Sequence, residues 1–128
     1  MAVPPHVLIV EDDPGIAEMI EMMLAADGCT TELVTDGNAA LDRLTGPPPD
    51  LVVLDVRLPH TDGLSILRTL RANENWTKVP VVVVTARGSD DEVWDGWSAG
   101  ADYYMVKPFD LDDLRATVRR LLGDDRSA

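Results

Sequence analysis

Short runs of β-branched and aliphatic residues alternate along the chain with longer stretches whose apolar positions recur three and four apart. Alternation of this kind, kept up from end to end, predicts an α/β fold around a parallel sheet. The predicted strands are His6–Val10, Thr30–Thr35, Asp50–Asp55, Pro80–Thr85 and Asp102–Val106. VLIV, LVVLD and VVVVT are continuous apolar runs, as central strands covered on both faces require. Thr30–Thr35 is more polar and reads as an edge.

Ile16, Met19, Ile20, Met23 and Leu24 fall at helical spacing behind Pro14, a residue favoured in the first turn, and Gly28 closes that helix. A second helix covers Asn38 to Leu44 and is stopped by Gly46-Pro47-Pro48-Pro49. A third carries Leu64, Ile66, Leu67 and Leu70. Ser89 with Glu92 forms a capping box that opens a fourth, closed near Gly100, and a fifth runs from Asp110 to Gly123. The pattern is thus one βα unit repeated five times, a single domain over 1–128 with its core at about 6–122 and no room for an output domain.

Composition narrows the function. Hydrophobic residues make up 45% and charged residues 27%, ordinary globular usage. Twenty-three acidic side chains against 11 Lys and Arg leave a net charge of −12, which repels a phosphate backbone and argues against direct nucleic-acid binding. One cysteine, Cys29, forms no internal disulfide, and the amino terminus lacks the features of a signal peptide. No apolar run approaches membrane-spanning length, so the expected location is the cytoplasm.

In an open parallel sheet, ligands bind at the carboxyl ends of the strands where strand order reverses. Here strand one runs into Glu11-Asp12-Asp13, strand three ends in Asp55, strand four in Thr85, and strand five runs into Lys107-Pro108. Clustered carboxylates repel one another, and an all-oxygen donor set suits Mg²⁺. With Mg²⁺ present one carboxylate can attack a phosphoryl group while metal, lysine and hydroxyl meet its equatorial charge; Asp55 is the candidate nucleophile.

VLIVEDD, LVVLDVRLPHTDG, VVVVTAR, GADYYMVKPF and LDDLRATVRRLL, in this order and spacing, make the chain resemble the receiver domains of two-component response regulators from about His6 to Leu122. The resemblance implies a doubly wound, flavodoxin-like sheet of order 2-1-3-4-5. It also implies a switch, not a conventional enzyme: Asp55 accepts a phosphoryl group from the phosphohistidine of a sensor histidine kinase or phosphotransfer protein. Asp13 and Asp55 would bind Mg²⁺ directly, Asp12 through water, and Arg57 through its backbone carbonyl. Lys107 would pair with Asp55, aimed by a cis bond to Pro108, while Thr85 and Tyr104 would switch the face of helix four, strand five and helix five toward a protein partner or an output domain. Catalysis would be limited to the chain's own phosphorylation and dephosphorylation, and the expected state is a monomer or weak dimer.

Each residue also has a plainer reading. Asp12-Asp13-Pro14 alone is an acidic helix start. Trp94 and Trp97 fit a buried or rim face of helix four, or else a partner patch, and Gly88 and Gly96 weaken that helix. Arg57 and Arg87 read as surface charges or as modulators of phosphoryl lifetime. Val93, Tyr103 and Thr117 stand where one receiver subfamily has a charged dimer network, which puts that dimer in doubt. Competing functions are a Mg²⁺-dependent aspartyl-phosphate phosphohydrolase, which usually needs an acid where Arg57 stands, a flavin-type cofactor binder, whose phosphate loop is acidic here, and a phosphorylation-independent interaction module.

Overall fold

The computed structural model describes residues 3–58, 61–86, 95 and 97–123. Strands β1 (His6–Val10), β2 (Thr30–Val34), β3 (Leu51–Asp55), β6 (Val81–Thr85) and β7 (Tyr103–Val106) form one sheet, and β4 (Arg57–Leu58) pairs with β5 (Thr61–Asp62). Helices α1 (Pro14–Ala26), α2 (Gly37–Arg43) and α3 (Gly63–Ala72) and a C-terminal helix (Leu111–Leu121) cover it. The order is β2-β1-β3-β6-β7 with every neighbour parallel, the doubly wound arrangement expected.

Burial follows strand position. Every residue of β3 and β6 is buried, whereas β2 and β7 keep exposed positions as edges do. Because side chains alternate across a sheet, the apolar runs build two cores. Leu8, Val10, Val52, Leu54, Val81 and Val83 face Ile66, Leu67 and Leu70 of α3. Val7, Ile9, Leu51, Val53, Val82 and Val84 face Ile20, Met23 and Leu24 of α1 and Leu114 and Val118 of the C-terminal helix.

Aspartates start the helices. Asp13, Asp36, Asp62 and Asp110 each accept a hydrogen bond from a first-turn amide, which satisfies donors that have no partner within the helix. Part of the acidic excess is therefore structural. Of the fourth predicted helix, Asp95 and Trp97 to Ala99 are helical and Gly100 follows with φ 109°; Ser89, Glu92, Gly88, Gly96, Arg87, Val93 and Trp94 lie outside the described residues. Trp97 is 44% exposed, not buried, and stacks edge-on against Tyr103 with centroids 6.5 Å apart.

Two features were not expected. Leu58 and Thr61 pair in the short β4–β5 ladder, which no apolar run announces. Trp76, inside the polar stretch Asn73 to Lys78, is completely buried; its indole N–H donates to the Gly46 carbonyl at 3.2 Å, and the Arg43 guanidinium lies 5.3 Å from its ring centroid.

Candidate phosphoryl-acceptor site

Strand order reverses between β1 and β3, and the carboxyl ends of these two strands bring Glu11 and Asp55 together. Both are buried, at 2% and 3% exposure, because they sit at the floor of the rim instead of on its edge. Asp12 stands beside them, exposed, and carboxylate oxygens of Glu11, Asp12 and Asp55 lie within 4.8 Å of one another. Such an all-oxygen donor set fits a hard divalent cation.

Lys107 follows β7 and reaches across β6. Its ammonium donates to Glu11 Oε1 at 2.8 Å and to Asp55 Oδ2 at 3.0 Å. Its backbone N–H donates to the Thr85 carbonyl at 2.7 Å, so the lysine's starting point is tied to the end of β6, and the Lys107–Pro108 peptide is cis. Asp55 also accepts the Arg57 N–H on Oδ1 at 2.8 Å, so both of its oxygens are engaged. Thr85 is fully buried at the end of β6, and Tyr104 packs, half-buried, against the α3-side core. Tyr104 also lines a shallow pocket with Val56, Arg57, Asp62 and Leu64.

Electrostatics separate the acids. Burial, reinforced by the Asp55 carboxylate, pushes Glu11 up to about 7, although its hydrogen bonds from Lys107 and the Asp13 amide oppose the shift. For Lys107, burial alone would lower the pKa, but hydrogen bonds to Glu11 and Asp55 outweigh it and hold the ammonium above its ordinary value. Among the described residues, then, the Lys107 ammonium bridges two members of a three-carboxylate cluster.

Asp13 departs from its expected role. Its Oδ1 accepts the Gly15 and Ile16 amides at 2.9 and 3.2 Å, and its own N–H donates to Glu11 Oε2, so it caps α1 and Glu11 takes its place in the carboxylate group. The signal was present in the sequence: an aspartate immediately before a first-turn proline is an N-cap, which leaves Glu11 and Asp12 for the rim.

The geometry defines a doubly wound α/β domain with an acid cluster and a lysine at its switch point, and comparison with known proteins specifies the family. Residues 7–119 match the response regulator receiver domain family, and the chain belongs to it. It is 43% identical over 119 residues to the response regulator MprA of Mycolicibacterium vanbaalenii, covering 93% of this chain and 51% of that protein. With the response regulator ArlR of Staphylococcus epidermidis it shares 38% over 117 residues, 91% and 52% of the two chains. The chain therefore spans about half the length of the curated relatives it matches. Among solved structures, the receiver domain of Francisella response regulator 1452 superposes with a TM-score of 0.85 at 32% identity, covering 97% of this chain and 99% of that one. The receiver domain of sensor histidine kinase PA1611 from Pseudomonas aeruginosa, which has a magnesium ion coordinated in its active site cleft, gives 0.86 at 34% identity over 95% and 100%. No helix among the described residues is long and apolar enough to cross a membrane.

Proposed function

We propose that Asp55 is the phosphoryl acceptor of a cytoplasmic signalling switch and that Glu11, Asp12, Lys107 and Thr85 serve its reaction. The observation that carries this is the lysine bridge: Lys107 Nζ lies 3.0 Å from Asp55 Oδ2 inside a group of three carboxylates. That arrangement leaves a nucleophilic oxygen beside a fixed positive charge at a buried position.

Asp12 and Asp55, with Glu11 behind them and the Arg57 backbone carbonyl that the family resemblance implies, would hold Mg²⁺. The ion would neutralise charge on the incoming phosphoryl oxygens. Asp55 Oδ2 attacks phosphorus, an Asp55 oxygen–phosphorus bond forms, and the phosphorus–nitrogen bond of the donor phosphohistidine breaks. Lys107 then exchanges its contact with Asp55 for one with a phosphoryl oxygen. Thr85, at the end of β6, supplies a hydroxyl to another, and Tyr104 moves toward the space Thr85 leaves.

The donor is a histidine kinase or phosphotransfer protein, and the recipient of the signal is a protein partner or an output domain. The phosphohydrolase alternative loses ground because Arg57, not an acid, stands two residues after Asp55, with its N–H on the Asp55 carboxylate. Intact mass after incubation with acetyl phosphate and Mg²⁺ tests the proposal. One phosphoryl adduct that needs Mg²⁺ and vanishes in Asp55→Asn is expected; an adduct that persists in Asp55→Asn would place the acceptor elsewhere, and none on the parent would refute the reading.

A further inference from the structure

Two glycines crowd the segments that flank the short strand β4: Gly37 lies against Thr61 of its partner strand and Gly63 against Val56, the residue that joins Asp55 to β4. Residue Arg57 in β4 donates its N–H to Asp55 Oδ1 at 2.8 Å, so the position of this strand sets one of the two hydrogen bonds on the reactive carboxylate. β4 and the Val56 that precedes it are each held by a neighbour. Through Arg57↔Asp62 and Leu58↔Thr61 β4 pairs with β5, and Thr61 of β5 presses on the first residue of α2. A Cβ at Gly37 would overlap Thr61 Cβ, Oγ1 and Cγ2 together. A Cβ at Gly63 would overlap the Val56 backbone, and the Gly63 N–H donates to the Val56 carbonyl at 3.0 Å.

Neither glycine has the positive φ seen at Gly28, Gly100 and Gly123, so close approach and not backbone conformation explains the lack of a side chain. The start of α2 is fixed in turn by Asp36, whose carboxylate accepts the Ala39 N–H at 2.8 Å.

We infer that Gly37 is a positioning residue for the phosphoryl-transfer site: its contact with Thr61 seats β4–β5 on α2 and thereby holds the Arg57 amide on Asp55. The route runs from α2 to Thr61, across the Leu58 pair to β4, and through the Arg57 N–H to the carboxylate. Helix α2, which contributes no side chain to the site, is then mechanically joined to it. This rests on the reading of Asp55 as phosphoryl acceptor, but the contact itself can be tested apart from that reading.

The test is a double-mutant cycle of Gly37→Ala and Thr61→Gly on the full chain, followed by the Arg57 amide resonance in ¹H–¹⁵N spectra and by the rate of Mg²⁺-dependent phosphorylation from acetyl phosphate. Gly37→Ala is expected to shift the Arg57 resonance and to slow phosphorylation at saturating acetyl phosphate by about tenfold, as displacement of a reacting group does, with the half-saturating concentration unchanged. In the presence of Thr61→Gly the same substitution should change the rate less than about twofold, because the atoms it would strike are gone. A general loss of stability would instead slow both backgrounds alike.

Should Gly37→Ala not fold, Thr61→Gly alone decides: it removes the contact without a clash and must still move the Arg57 resonance. An Arg57 resonance unmoved in the folded single variants, or equal rate losses in both backgrounds, would overturn the inference. A parent chain that takes no phosphoryl group while the resonance responds as expected would sink the phosphoacceptor reading and leave the α2–β4 coupling standing.

Discussion

The two ends of the sheet handle charge in opposite ways. At the amino end, cations and acceptors are matched. Arg71 donates to the carbonyls of Gly100, Thr77 and Val79 and to Asp102, at 2.6 to 3.1 Å, and Asp102 also takes the Val81 N–H. Nearby, Glu32 lies between His6 and Arg43, and Arg43 in turn covers Trp76. At the carboxyl end, Glu11, Asp12 and Asp55 cluster together and the Lys107 ammonium bridges Glu11 and Asp55. A matched cluster fixes structure, whereas an acidic surplus raises the free energy of the folded chain until a bound cation or a proton relieves it. Removing a charged partner should therefore harm the first end, whereas neutralising an acid should stabilise the second.

The largest effect should come from Trp76→Ala. Removing a fully buried indole, with its hydrogen bond to Gly46, should cost about 3–5 kcal/mol in a denaturant titration, while the acid cluster keeps its Mg²⁺ affinity. Arg71→Met should follow at about 1–3 kcal/mol, since it leaves the Val79 and Gly100 carbonyls without their donor. Arg71→Lys should restore little of this, because an ammonium cannot span the same acceptors.

At the rim the sign reverses. Folded protein retains a proton on Glu11 up to about pH 7, while the unfolded chain releases it near the ordinary 4.5, so the parent loses stability as pH rises through that window. Glu11→Gln has no such loss. Its unfolding free energy should exceed the parent's by on the order of 1 kcal/mol above pH 7 without metal, with the gain shrinking as pH falls toward 4.5. A variant less stable than the parent at pH 8 would break the contrast between the two ends.

The smallest effect belongs to Glu32. Burial alone would raise its pKa, but hydrogen bonds from His6 and Arg43 lower it below 4.5. Its stabilising contribution is therefore present above that pH and lost as pH falls through the depressed folded value. With a third of the side chain exposed, Glu32→Gln should cost only about 0.5 kcal/mol at neutral pH. The parent and variant unfolding curves should converge in acid.

What could be read from sequence follows the range of the interactions concerned. Strands β1, β3 and β6 announce themselves because full burial on both faces demands unbroken apolar runs, and β2 shows its edge position through Thr30, Thr31 and Glu32. Asp55, Lys107 and Thr85 were legible as strand ends, since parallel topology brings such ends to one rim. The exchange of Asp13 for Glu11 turns on one residue of register, decided by the cap on α1. Trp76 was not legible: its burial depends on Arg43 and Gly46, about thirty residues away, and the polar residues around it resemble an exposed loop. The seating of Thr61 on Gly37 has the same character, a contact between segments that share no local pattern.

The sealing of Trp76 has an optical consequence. Its indole is inaccessible to solvent while that of Trp97 is 44% exposed, so a dissolved collisional quencher such as iodide reaches the second and not the first. Emission that survives the quencher carries the Trp76 signal and reports the integrity of the core, whereas the quenched fraction includes Trp97 and reports the face beside Tyr103. One unlabelled sample can then distinguish unfolding from a rearrangement confined to that face.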